Sequence, residues 1–168
     1  GDVITGAAIQ EGNIIVFKNN SIWRIILTDD KKSPIGAILA VSQKIGCIAP
    51  NSILNVEDIV FFLSRQGFFM LRGNELKHLS EDIEPDIQSL VSNLSNASLA
   101  SSVFYPKYRE VWLVDAVNKV RWVYQLTTEK WFKPKFSNIA ANDIRTIMCT
   151  LDGSLYSGDL DRGYVYNE

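Results

Sequence analysis

Four hairpins recur along this chain at nearly even distances, and few folds accommodate that rhythm. Residues 14–17 form a short apolar run, Lys18-Asn19-Asn20-Ser21 turns the chain, and Ile22-Trp23-Arg24-Ile25 returns. Residues 59–63 lead through Ser64-Arg65-Gln66-Gly67 into Phe68-Phe69-Met70-Leu71. Residues 111–114 precede a turn at 115–118 and then Val120-Arg121-Trp122-Val123-Tyr124. Residues 154–157 pass through 158–163 to Tyr164-Val165-Tyr166. In each, β-branched and aromatic residues flank a cluster of Gly, Asn, Asp or Ser, the pattern of an antiparallel hairpin. The first strands start about 45, 52 and 43 residues apart, close to the roughly 40–50 residues of a four-stranded propeller blade.

Each hairpin has candidate partner strands. Residues 6–10 precede the first, with Glu11-Gly12-Asn13 as the turn. Residues 52–56 precede the second, and Arg72-Gly73-Asn74 turns into 75–79. Residues 101–105 precede the third, and Thr127-Thr128-Glu129-Lys130 turns into 131–133. Residues 145–150 precede the fourth, with the turn at Leu151-Asp152-Gly153. Asp152-Gly153 is the sharpest turn signal, because glycine accepts the positive φ that tight hairpins demand.

Three to four strands per unit is the blade count, so the expected fold class is all-β: a β-propeller of about four antiparallel meander blades. The blades fall at 1–40, 41–80, 97–137 and 138–168, in a single propeller-like domain or partial propeller. A β-sandwich or barrel would use similar strands, but spacing near one blade length favours units that bury their faces only against neighbours.

One stretch breaks the rhythm. Residues 81–96 read as an inserted helix, with Ile87, Leu90, Val91 and Leu94 on one face. Pro85 stands at its start, where a missing N–H costs nothing, and Asp86 complements the helix dipole. Residues 35–42 read either as a strand or as a connector. Four blades can close a ring; with more blades in the parent protein, this piece would expose two apolar blade faces and should associate or distort.

Chemistry is sparse. A chain of 168 residues with 46% hydrophobic and 21% charged residues can bury a real core. Its net charge of −2 argues against a nucleic-acid binder whose affinity comes from phosphate neutralisation, and no direct sequence-specific nucleic-acid binding is expected. No apolar run is long enough to cross a bilayer as a helix, so a soluble chain with no membrane partner is expected. The chain begins at Gly1 and shows no signal-peptide pattern, which suggests a processed piece of something longer. Cys47 and Cys149, the only cysteines, stand among apolar neighbours; they could pair, but read as buried free thiols.

No nucleophile elbow, zinc-protease motif or phosphate loop appears. His78 is the sole histidine, so any triad or histidine metal site would have to include it. Asp159-Leu160-Asp161-Arg162-Gly163 looks like half a calcium loop but lacks the remaining acidic ligands, and reads as a turn. Asp82, Glu84 and Asp86 read as dipole complements rather than paired catalytic carboxylates. No catalytic residue, metal site or cofactor is therefore expected.

Trp23, Trp112, Trp122 and Trp131 lie on strands, where aromatics fill the layers between blades. Trp131 is the exception, with Lys130, Lys133 and Lys135 around it, so Trp131, Phe132 and Lys133 form the one aromatic–basic patch expected as a surface contact. The sequons at Asn93 and Asn96 read as chance matches in a chain without secretory signs.

Several phrases in order carry a resemblance: Ile15-Val16-Phe17-Lys18 with Ser21-Ile22-Trp23-Arg24-Ile25, Gly46-Cys47-Ile48-Ala49-Pro50, Phe61-Phe62-Leu63-Ser64-Arg65-Gln66-Gly67, Leu79-Ser80-Glu81-Asp82-Ile83-Glu84-Pro85 and Leu155-Tyr156-Ser157-Gly158-Asp159. Together they resemble β-propeller-type structural proteins of tailed bacteriophages, the tail adaptor, hub or stabilisation components of short-tailed particles. The resemblance implies a non-enzymatic virion part, made in the bacterial cytoplasm and assembled around the DNA exit channel. Its partners would be other tail proteins or copies of itself. A lectin-like or peptide-binding propeller is the alternative, and an enzyme would need a site supplied by further blades.

Overall fold

The computed structural model describes residues 1–134, 144–150, 152–159 and 165–167. Their strands form four antiparallel sheets, each a meander in chain order. Sheet 1 holds β1 (Ile4–Gln10), β2 (Asn13–Lys18), β3 (Ile22–Leu27) and β4 (Ile35–Ser42). Sheet 2 holds β5 (Leu54–Val56), β6 (Ile59–Ser64), β7 (Gly67–Arg72) and β8 (Glu75–His78). Sheet 3 holds β9 (Ser101–Tyr105), β10 (Glu110–Asp115), β11 (Val120–Gln125) and β12 (Lys130–Phe132). Sheet 4 holds β13 (Ile144–Cys149), β14 (Leu155–Asp159) and β15 (Val165–Asn167). First strands meet one another from sheet to sheet: β1 against β5, β5 against β9, β9 against β13. That is how blades stack around an axis.

The sheets are held face to face by three apolar seams. Ile15, Phe17 and Ile22 of sheet 1 meet Val60, Phe62, Phe69 and Leu71 of sheet 2. Phe61, Leu63 and Phe68 on the opposite face of sheet 2 meet Val111, Leu113, Trp122 and Tyr124 of sheet 3. Tyr105, Trp112 and Val123 then meet Leu155 of sheet 4. Side chains alternate across a strand, so β6 sends Val60 and Phe62 one way and Phe61 and Leu63 the other. Its unbroken apolar run follows from burial on both faces.

A polar latch crosses the first seam. Gln10 Nε2 donates to the carbonyls of Asp58 and Leu71 at 2.7 and 2.8 Å. Arg24 Nη2 donates to Gln10 Oε1 at 2.7 Å and to the carbonyl of Gly73. Both side chains are buried, where an unmatched polar group would be costly. The connector from sheet 1 to sheet 2 is stitched as it passes: Cys47 N–H donates to the Lys18 carbonyl at 2.8 Å and Ile48 N–H to that of Leu63 at 2.9 Å. Gly46 lies so close that a Cβ there would come within 2.2 Å of the Lys18 carbonyl oxygen.

Two readings of the sequence need adjusting. Residues 35–42, open between strand and connector, form β4 and pair along β3. The insert at 81–96 is not one helix but a 3-10 turn at Glu81–Ile83, then α1 (Glu84–Ser92) and α2 (Leu94–Ala97). Asn93 adopts an extended backbone (φ −109°, ψ 97°) and its side chain accepts from Asn96 N–H, capping α2 and ending α1. Ile87, Leu90 and Val91 are buried against the second seam, while Leu94, beyond the break, is exposed.

Candidate interaction face

Sheet 1 has two faces, and among the described residues only one of them is covered by another sheet. On the other, the register aligns Ile9 with Ile14, Ile14 with Ile25 and Ile25 with Ile38, a row of four isoleucines across all four strands. Beside it, Ala7 pairs with Val16, Val16 with Trp23 and Trp23 with Ala40. No charged or hydrogen-bonding residue interrupts these rows apart from the Trp23 indole N–H, which donates to Ser21 Oγ at 3.0 Å. Ile9 is 65% exposed and Ile38 57%. Lys18 stands at the rim, its Nζ 5.9 Å from the Trp23 ring centre. Such a contiguous apolar patch is unusual on a self-sufficient monomer.

At the other end, sheet 4 turns Leu155 and Ser157 inward. Met148 pairs with Tyr156, and Gly158 with Val165, on its outward face. Met148 is 57% exposed and Val165 70%. Over Gly158, where no side chain projects, lies a dent of about 120 Å³ lined by Met148, Tyr156 and Val165 among others. Among the described residues, sheet 4 therefore does not close onto sheet 1.

A cleft of about 320 Å³ opens between sheets 3 and 4, lined by Tyr105, Lys107, Tyr108, Glu110, Trp112, Pro134 and Leu155. The Tyr105 and Tyr108 rings meet edge to face at 5.3 Å. Trp112 Nε1 donates to Glu110 Oε2 at 3.0 Å. Burial pushes the Glu110 carboxyl above its ordinary range, and the indole hydrogen bond only partly offsets that.

The residues singled out in the sequence are placed differently from one another. Trp131 is half-buried in the second seam: its ring packs edge-on against Phe68 at 5.7 Å and beside Tyr124 at 5.2 Å. Its Nε1 donates to the Leu79 carbonyl at 2.6 Å. Phe132 is exposed and, one residue on in β12, points to the other side of the sheet. Lys133 Nζ lies 2.8 Å from Asp86 Oδ2, and that contact, chiefly its hydrogen bond, holds the Asp86 carboxyl below the usual range. The three thus share a neighbourhood but not a common surface. Lys135 lies outside the described residues, as does most of 159–163.

Trp112 and Trp122 fill seams as expected, whereas Trp23 lies on the bare face. Cys47 is buried and Cys149 half-buried; both are free thiols, and burial is the main cause that raises each. Among the described residues no three His, Cys, Asp or Glu side chains gather as a metal-binding group, and no helix is long and apolar enough to cross a membrane.

His78 takes part in an arrangement that superficially looks like a triad. Its Nε2 lies 2.9 Å from Ser80 Oγ, and its Nδ1 3.7 Å from Glu81 Oε1. Ser80, however, is 1% exposed, and its Oγ accepts the Phe68 N–H at 3.0 Å. The imidazole stacks on Phe69 at 4.7 Å. This oxygen is a packing joint, shut off from any substrate.

No family model matches this sequence, and no curated protein sequence matches it. Solved structures do. The extracellular domain of a hybrid two-component system (BT4673) from B. thetaiotaomicron superposes on 99% of this chain and 21% of its own, at TM-score 0.56 and 12% identity. Virginiamycin B lyase from Staphylococcus aureus matches over 96% of this chain and 54% of its own, at TM-score 0.56 and 14% identity. A streptogramin B lyase matches over 99% and 53%, at TM-score 0.54 and 11% identity. The fold is a β-propeller. At these identities the likeness shows architecture alone, and the chain spans between about a fifth and about half of the length of these propeller-like neighbours.

Proposed function

We propose that this β-propeller module is a non-enzymatic scaffold that works through protein–protein contacts on its sheet faces, as a hub, adaptor or stabilisation component in the tail of a short-tailed bacteriophage. The scaffold part is carried by one observation. β2 of sheet 1 has the same unbroken apolar run as the doubly buried β6, yet only its Ile15 and Phe17 side is covered. A strand with that composition is built for a neighbour on each face. The phage setting rests on the ordered sequence phrases alone; the solved neighbours include lyases and the extracellular domain of a two-component system, so the fold does not choose among settings.

The test is to probe purified particles with an antibody against this chain and to map the label by electron microscopy. Label on a tail ring is the expected result. A chain absent from particles but present in the infected cell removes the phage setting.

A second reading, a ligand-binding propeller, is favoured by the cleft in which the exposed Tyr108 stands beside the buried Tyr105 and Trp112, since an exposed aromatic face suits sugar rings and other flat ligands. A glycan-array signal lost on Tyr108→Ala would promote it over the scaffold.

A further inference from the structure

We propose that the cleft between sheets 3 and 4 binds a small organic amine, its ammonium group held by the Glu110 carboxylate and its apolar body lying against Tyr108. This rests on the ligand-binding reading and names the class of ligand. Three observations carry it.

The first is a carboxylate without a counter-charge. Glu110 is only 8% exposed, yet it lines the cleft. Its Oε2 accepts the Trp112 indole N–H at 3.0 Å, and its Oε1 has no hydrogen-bond partner among the described residues. No lysine, arginine or histidine among them forms an ion pair with it either. A neutral indole donor does not balance a buried charge, which is costly unless paired. An ammonium entering the cleft supplies both the missing charge and N–H donors for Oε1. Burial already pushes this carboxyl upward, in keeping with the missing partner.

The second is a contrast between equivalent places in three sheets. The rung beside the turn from first to second strand pairs Gln10 with Asn13 in sheet 1, Val56 with Ile59 in sheet 2 and Tyr105 with Glu110 in sheet 3. In sheet 1, buried Gln10 finds the Asp58 and Leu71 carbonyls of sheet 2. In sheet 2, buried Val56 joins the apolar second seam. In sheet 3 a carboxylate stands at this rung, beside an open volume of about 320 Å³ walled by Leu155 and Pro134. The chain fills this rung from within twice and leaves it open once.

The third is the chemistry of the mouth. Tyr108 is 52% exposed and offers its ring there. Lys107 Nζ rests 5.2 Å from that ring's centre, so the negative face of the ring already draws a cation. Lys107 is itself exposed and can give way to a ligand. The volume lies at the small end of ligand pockets and suits one ring on a short chain. Lys107, Tyr105 and Tyr108 are the titratable groups that share the cleft with Glu110.

Isothermal titration calorimetry on the whole chain, with 2-phenylethylamine at pH 8, tests this. Binding with a Kd below about 1 mM is expected. The uncharged N-acetyl-2-phenylethylamine should bind at least about tenfold more weakly, and so should the amine to Glu110→Gln. That variant keeps an acceptor for Trp112 Nε1, and circular dichroism checks that it is folded. Affinity should fall as pH drops through the raised Glu110 value, and Glu110→Gln should lose that dependence. Lys107→Ala should bind the amine at least as well as the unaltered chain, since a like charge leaves the mouth.

An amine that does not bind, or that binds Glu110→Gln equally well, overturns the proposal. So does binding that is lost in Lys107→Ala, because the ligand would then be held by an anionic group. If the amine fails while a glycan signal is lost on Tyr108→Ala, the amine falls and the ligand-binding reading stands. If both are silent, both fall.

Discussion

Arg109 and Glu57, 52 positions apart, face each other through two parallel hydrogen bonds of 2.8 and 2.9 Å. Both residues hold left-handed backbone, φ 54° and 50°, in the turns that join first to second strands in sheets 3 and 2. Asp58, next in the tight turn, is left-handed as well, φ 63°, a conformation that disfavours side chains other than glycine. The turn is braced on its other side by Gln10, whose Nε2 reaches the Asp58 carbonyl. One strained turn thus ties sheets 1, 2 and 3 together on a single edge.

The Arg109 hydrogen bonds, more than its charge, hold the Glu57 carboxyl below its ordinary value of 4.5. A depressed folded value means the pair stabilises the fold above the unfolded value and loses that contribution as pH falls through the folded one. Because both groups are exposed, a double-mutant cycle of Arg109→Ala and Glu57→Ala should give a small favourable coupling that fades in high salt and at acid pH. Coupling that is unchanged by salt would contradict this account.

Gln10 is a different kind of contact, since it is wholly buried. Gln10→Ala strips a partner from the Asp58 and Leu71 carbonyls and from Arg24 at once. Unmet buried polar groups of this sort cost about 1–3 kcal/mol each. A denaturant titration should show a loss of about 2–4 kcal/mol with an unchanged slope. A loss below about 1 kcal/mol would mean the latch is not closed in solution.

The four hairpins were legible in the sequence because their strands are bounded by turn chemistry and their apolar residues have strand periodicity. Gln10 and Arg24 were not, since a buried amide on β1 and a buried guanidinium on β3 look like ordinary surface polarity until the neighbouring sheet supplies carbonyls. Trp131 shows the same thing from the other side: Lys130 and Lys133 beside it suggested solvent, while its half-buried indole packs on Phe68 and Tyr124 and donates to the Leu79 carbonyl. The bare face was legible only in part. The run Ile14-Ile15-Val16-Phe17 signals burial on both sides, but only the register shows which residues lack a cover. The Tyr105–Tyr108 cleft carried no sequence signal, because its walls come from two sheets.

Glu110 gives a pH dependence of opposite sign to Glu57. Burial raises its folded carboxyl above the ordinary 4.5, so the folded state holds a proton that the unfolded state releases. Between the unfolded and the raised folded value, stability falls as pH rises, and above both the full cost of the buried charge remains. Glu110→Gln removes that charge and keeps an acceptor for Trp112 Nε1. The variant should melt higher than the unaltered chain at neutral pH, and the difference should vanish below the unfolded carboxyl value. A variant that melts lower at pH 7 would mean the carboxylate is matched by a charge in solution.

Phe62 and Val16 test what separates a covered face from a bare one, because their strands look alike in sequence. In the first seam the Phe62 ring packs tilted against Phe17 at 4.9 Å and stacks on Phe69 at 6.0 Å. Phe62→Ala leaves a cavity there that cannot collapse without moving two sheets, at a cost of about 3–5 kcal/mol. Val16 is in a run just as apolar, but it faces the uncovered side. At concentrations where the chain is a single copy, Val16→Thr should change stability by less than about 0.5 kcal/mol, as for an open surface. Equal losses at the two positions would show that Val16 is covered as Phe62 is.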